Sequence, residues 1–199
     1  MSAESIKAKA LKCIDEIYPS ADTLNDTYFP VEDFLEEAVR WVIDIVPSHE
    51  LTEREELVLT NVSVSTNDEG TGTLPEEFGR LVYFKAEDWK RPVFGVITVD
   101  DPRYIQQFNK VLRGNPSRPI VVLSMDCGNK ISRTLKWFTT KELTYEAQHV
   151  PYSVDYIPMM LEDLTSWKLA EIVLMSMSDT QNAAVCTARV NELLQQIAV

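Results

Sequence analysis

Apolar residues recur at helical steps at both ends of this chain and in short alternating or continuous runs through its middle. Over residues 3–18, Ala3, Ile6, Ala10, Cys13 and Ile17 share one helical face, and Lys7, Lys9, Lys12, Asp15 and Glu16 lie mostly off it. Pro19 is the expected stop, and residues 19–29 read as a polar loop. A second helix is predicted from Pro30 to Val46. Pro30 suits a first turn, Glu32 and Asp33 suit the positive end of the dipole, and Val31, Phe34, Leu35, Ala38, Val42 and Ile45 form the face, bordered by Trp41. At the other end, Ile157, Leu161, Leu164, Ile172 and Met175 predict a helix over about 154–177, with Pro158 tolerated only near its start. Ser178 and Asp179 are candidate caps for a last helix over about 180–197, with Ala183, Cys186, Val190, Leu193 and Ile197 on its face.

Between these flanks the period changes. Residues 57–64, 81–85, 93–99, 120–125 and 131–139 are rich in β-branched and aromatic residues and read as strands. Residues 49–56 are charged loop, Asn67–Gly72 a turn, and Leu74–Phe78 a short helical turn. Asp100–Pro102 and Arg113–Pro116 are turns, Tyr104–Val111 is helical or irregular, and Asp126–Asn129 is a hairpin turn. The predicted class is therefore α+β. Residues 1–56 and 144–199 form a four-helix-type bundle, and residues 57–143 a β-rich insertion projecting from it.

Composition narrows the function. The chain has 199 residues, 45% hydrophobic and 25% charged, the balance of an ordinary soluble fold. No apolar run approaches the ~20 residues of a membrane span, and the first residues lack the pattern of a secretion signal. The expected location is the cytosol or a particle assembled there. A net charge of −12 speaks against a protein that grips phosphates. Cys13, Cys127 and Cys186 are dispersed, with no Cys-x-x-Cys, so neither a disulfide framework nor a zinc site is expected.

No catalytic pattern stands out. There is no phosphate-cradling glycine loop, and neither His49 nor His149 stands in a recognisable nucleophile context. Asp100 and Asp101 at a strand end are the best metal candidates, although a turn before Pro102 needs the same residues. Basic residues concentrate in the β section (Arg80, Lys85, Lys90, Arg91, Arg103, Lys110, Arg113, Arg118), interleaved with Tyr83, Phe84, Trp89, Phe94, Tyr104 and Phe108. Two readings are open for this mixture: nucleic-acid binding, or a surface that meets acidic helices of a neighbouring copy.

One ordered series of residues carries a resemblance. Leu74-Pro75-Glu76-Glu77-Phe78, then Arg80-Leu81-Val82, Trp89, Tyr104 with Gln107 and Asn109, and Pro119 ahead of an apolar strand stand in this order. The series resembles the head-to-tail adaptor proteins of short-tailed bacteriophages, also called tail tubular protein A or connector ring proteins, especially those of crAss-like phages of Bacteroides-type hosts. The resemblance covers roughly residues 30–199. It implies a dodecameric, non-enzymatic ring without cofactor or metal, docked below the portal protein. Such a ring is a platform for the tail or the next ring protein, and DNA passes through its lumen without specific binding. It implies a virion location, assembly in the host cytoplasm and no membrane contact. On this resemblance Phe78, Arg80, Trp89, Tyr104, Gln107 and Asn109 are structural or contact residues. Tyr83, Trp89 and Arg91 are the residue types that anchor interfaces. Two other classes are expected to compete: a small cytosolic metal-dependent hydrolase using Asp100 and Asp101, and a monomeric binding module with a groove in the β section.

Overall fold

Four helices and two antiparallel sheets make up the computed structural model, a mixed α+β architecture. It describes residues 2–18, 29–51, 53–127, 131–140 and 144–197. The Pro19 stop, the loop at 19–28 and the Gly128–Asn129 turn lie outside the described residues. The chain divides into two units. One is Met1–Glu53 with Tyr152–Val199, and the other is Arg54–Pro151.

The helical unit begins with α1 (Ala3–Ile17), whose N-cap Ser2 accepts the Ser5 N–H at 3.2 Å. Ile6, Ala10, Cys13 and Ile14 are buried, so the true stripe takes in Ile14 beside the expected positions. Helix α2 (Val31–Ile45) starts one residue later than expected, with Pro30 as its N-cap. Its buried stripe is Val31, Ala38, Val39, Val42 and Ile43. Ile45 is 51% exposed, contrary to expectation, because it sits at the border of that stripe in the last turn.

Helix α3 (Glu162–Ser176) begins eight residues after the expected start at 154. Pro158 is the cause. It holds Ile157 in extended backbone (φ −83°, ψ 115°), so residues 154–161 form two separate 3₁₀ turns instead of one helix. Helix α4 (Thr180–Ile197) is capped by Asp179, whose Oδ1 accepts the Asn182 N–H at 3.2 Å. The Tyr18 hydroxyl donates to the same carboxylate. Helix α3 packs against α1, α2 and α4, and α1 against α2. Leu169, Ala170, Val173 and Leu174 of α3 meet Ile6, Ala10, Ala38 and Cys186 in one core.

In the other unit, β1 (Glu55–Glu56), β4 (Arg80–Ala86) and β7 (Tyr145–Val150) form a sheet in the order β1-β7-β4. A second sheet has the order β2-β3-β6-β5, from β2 (Thr60–Val64), β3 (Glu69–Thr73), β5 (Val121–Cys127) and β6 (Ile131–Phe138). Every ladder between these strands is antiparallel. Its core holds Leu57, Leu59, Leu81, Val121 and Leu135 around an aromatic group. Phe84 lies at the centre of that group, stacked on Tyr145 at 5.4 Å and tilted against Trp137 at 5.2 Å and Trp89 at 5.6 Å.

Three expectations are corrected here. Residues 145–150, read as part of the helical flank, are strand β7, paired on one side with β1 and on the other with β4. Residues 69–73, read as a turn, are strand β3. A Cβ at Gly70 would enter the Trp137 ring, and one at Gly72 would come within 2.9 Å of Leu59. The glycines thus admit bulky neighbours rather than reverse the chain. Residues 93–99 are not a strand. Val93 pairs with Phe84 of one sheet and Ile97 with Val122 of the other, so the segment crosses from sheet to sheet.

Candidate functional site

Residues 94–112 place apolar side chains in water on a backbone that is firmly tied down. Phe94, Val99, Ile105, Phe108, Val111 and Leu112 are all at least half exposed, and Ile105, Phe108 and Val111 reach 76–77%. Isolated exposed apolar residues are ordinary, but six within one segment are a signature of a contact site.

The ties are local and polar. The Asp101 N–H donates to the Thr98 carbonyl at 3.0 Å, and the Tyr104 N–H to the Asp101 carbonyl at 2.8 Å. The Asp101 carboxylate accepts the Arg103 N–H at 2.8 Å and its guanidinium Nη2 at 2.7 Å. Those Arg103 hydrogen bonds hold the Asp101 carboxyl below the usual range. A 3₁₀ turn follows over Ile105–Phe108, with Tyr104 edge-on to Phe108 at 5.4 Å.

Gln107 clamps the two ends of the loop. Its Nε2 donates to the Arg103 carbonyl and its Oε1 accepts the Gly114 N–H, both at 2.8 Å. Asn109 turns the chain, its Oδ1 accepting the Val111 N–H at 2.9 Å. Arg113 anchors the base. Its guanidinium lies 5.1 Å from the Phe138 ring centroid and donates to the Asn67 carbonyl at 2.7 Å. Gly114 makes this approach possible, since a Cβ there would stand 2.8 Å from Phe138 Cδ2. Beside the loop, a cavity of about 260 Å³ is lined by Val93, Phe94, Ile97, Arg103, Pro119 and Ile120, among others.

The residues singled out in the sequence divide into three groups. Phe78 and Trp89 are core residues, 2% and 3% exposed, and not surface anchors. Phe78 stacks on His149 at 5.5 Å, with the Arg133 guanidinium 5.5 Å from its ring centroid, and Trp89 Nε1 donates to the Phe138 carbonyl at 2.7 Å. Tyr104, Gln107 and Asn109 build the loop from within. Arg80 and Tyr83 are half-buried on β4, and Arg91 is exposed. The Tyr83 hydroxyl donates to Glu146 at 3.3 Å. Burial, then that carboxylate, pushes its pKa up.

Asp101, a metal candidate, is committed to Arg103. Among the described residues no group of three His, Cys, Asp or Glu side chains is placed to hold a metal ion, and no helix is long and apolar enough to cross a membrane. No family model matches the chain, and no curated protein matches it. The exposed residues Ile105, Val111 and Leu112 were not singled out in the sequence. Their signal was an absence of period: apolar residues between Pro102 and Pro116, in a segment of turns, with neither a strand nor a helix to bury them.

Charge is segregated between the units. The helical unit has six Lys and Arg against eighteen Asp and Glu, a net −12. The β unit has thirteen of each and is neutral. Within the β unit, Trp89–Arg118 holds six basic residues against two acidic ones. That excess lies on the flanks of the loop, at Lys90, Arg91, Arg113 and Arg118; within residues 94–112 Asp100 and Asp101 balance Arg103 and Lys110.

Proposed function

We propose that this chain is a virion structural protein, a head-to-tail adaptor ring subunit that docks below the portal of a short-tailed phage. The observation that carries this reading is the tied loop with Ile105, Phe108 and Val111 in solvent. A loop ordered before contact loses little freedom on docking, which is how an assembly subunit gains affinity. In this reading the four helices form a bundle from the two ends of the chain, and the β unit is an insertion that reaches neighbouring parts. Its partners are further copies in a ring, the portal protein and a tail or next ring protein. The acidic helical unit suits a channel wall along which DNA slides without adhering. The chain performs no chemistry and needs no cofactor.

The test is mass photometry and electron microscopy of the purified chain mixed with the portal ring of a short-tailed phage. The expected outcome is a ring of added subunits on one face of the portal. A chain that ignores the portal and instead hydrolyses a phosphoester with added Mn²⁺ would replace this reading with the metal-dependent hydrolase.

A further inference from the structure

We infer that the apolar loop of one copy, with its basic flanks, seats on the acidic, methionine-bearing start of α3 in another copy, as a head-to-tail contact. The inference rests on the reading of the chain as an assembly subunit and names the two surfaces that meet.

The helical unit offers one place that matches the loop in chemistry. Met159 and Met160 are 83% and 63% exposed, the first being the most exposed large apolar residue described in the chain. They stand between Asp155 and the pair Glu162–Asp163. Like the loop, this shelf is tied from beneath. Leu161 is fully buried, its N–H donates to the Pro158 carbonyl at 2.9 Å, and its carbonyl accepts the Thr165 hydroxyl at 2.8 Å. Methionine thioethers adapt their shape and contact aromatic rings favourably, which suits Phe108.

Charge selects the occupant. The loop with its flanks, residues 89–118, has a net excess of four positive charges, and the shelf sets Asp155, Glu162 and Asp163 against Lys9, which pairs with the last two and leaves a net −2. A loop-to-loop contact would set exposed Arg91, Lys110 and Arg118 against their own copies, and a shelf-to-shelf contact would set carboxylates against carboxylates. Of the three, only the crossed pairing is electrostatically attractive. Where two copies make the crossed contact once, it is heterologous, so each keeps one loop or one shelf free for the next and the contact propagates to a ring or filament; a reciprocal two-fold exchange would instead close at a dimer.

Complementation tests this. Phe108→Asp removes the loop's aromatic and leaves the shelf intact; Met160→Asp does the reverse. Both positions are exposed, and far-UV circular dichroism checks the fold, with Val111→Asp and Met159→Asp as a second pair. Sedimentation velocity is run over a concentration series up to the solubility limit. Wild type is expected to form higher oligomers, and each variant alone to weaken association at least tenfold. An equimolar mixture of the two is expected to stop at a dimer of one of each, because one intact contact remains. A mixture that stays monomeric, or a wild type indifferent to both substitutions, would overturn the contact. A wild type that is monomeric alone yet still rings the portal would overturn it too and leave the adaptor reading standing.

Discussion

Of the three residues read in the sequence as interface anchors, the fold buries Trp89, leaves Tyr83 half-buried and exposes Arg91. Trp89 and Phe78 belong to the same core as Phe84 and Trp137. Aromatic rings beside arginines mark interface hot spots and aromatic cores alike, and one sequence cannot separate the two. Only the hydrogen bond from Trp89 to Phe138, forty-nine residues away, decides it. His149 is a second such case. It is 2% exposed, stacked on Phe78, and its Nδ1 has no hydrogen-bond partner among the described residues. Burial lowers its pKa from 6.5, against the opposing pull of Glu55 and Glu77. Below about pH 6.5 the unfolded chain therefore takes up a proton that the folded chain resists, so stability falls as pH falls through that range. The urea midpoint is expected to drop from about pH 7.5 to about pH 5.5 in wild type. In His149→Phe, which keeps the stack without the titration, the slope should be much shallower. Equal slopes in the two proteins would remove His149 as the cause.

At the scale of elements, legibility followed the strength of the period. All four helices were readable from apolar residues at steps of three and four, but on α3 the buried stripe is Leu169, Ala170, Val173 and Leu174 while Met175, expected on it, is 55% exposed; boundary errors arose where Pro158 or Pro30 acts locally. Strands β4, β5 and β6 were readable from β-branched and aromatic runs. Strand β7 was not: Tyr-Glu-Ala-Gln-His-Val offers Ala147 and His149 as its inward positions, and neither signals a strand. Strand β3 was hidden by Gly70 and Gly72, whose purpose appears only once Trp137 is seen opposite Gly70. That pairing makes a sharp prediction. Gly70→Ala puts a methyl into the Trp137 ring, which Phe84 and Tyr145 hold in place. Overpacking of this kind costs about 1–3 kcal/mol. Gly95→Ala, with nothing within 4 Å of the added carbon, is the control and should stay within about 0.5 kcal/mol of wild type. Urea unfolding followed by tryptophan fluorescence measures both. A Gly70→Ala protein as stable as the Gly95→Ala control would mean that the β3–β6 register is different.

For the molecule as a whole, the −12 lies entirely in one unit, and salt should therefore act on two properties in opposite directions. Eighteen carboxylates against six cations repel one another within the helical unit. Three of those cations are engaged at once: Lys7 with Glu4 and Glu32, Lys9 with Glu162 and Asp163, and Lys168 with Glu171 and the Trp41 ring. Screening with a Debye length of about 10 Å at 0.1 M relieves much of the remaining repulsion between exposed charges. The same screening weakens attraction between the basic flanks of the loop of one copy and the acidic shelf of another. Raising NaCl from about 0.05 M to about 0.5 M is thus expected to raise the melting temperature and, at the same protein concentration, shift sedimentation toward monomer. Stability and association usually move together when a subunit is stabilised by its neighbours. Their divergence is what separates an electrostatic contact between copies from a merely hydrophobic one. If salt strengthened both, Ile105, Phe108 and Val111 would be acting through apolar burial alone, and the segregation of charge between the units would have no part in assembly.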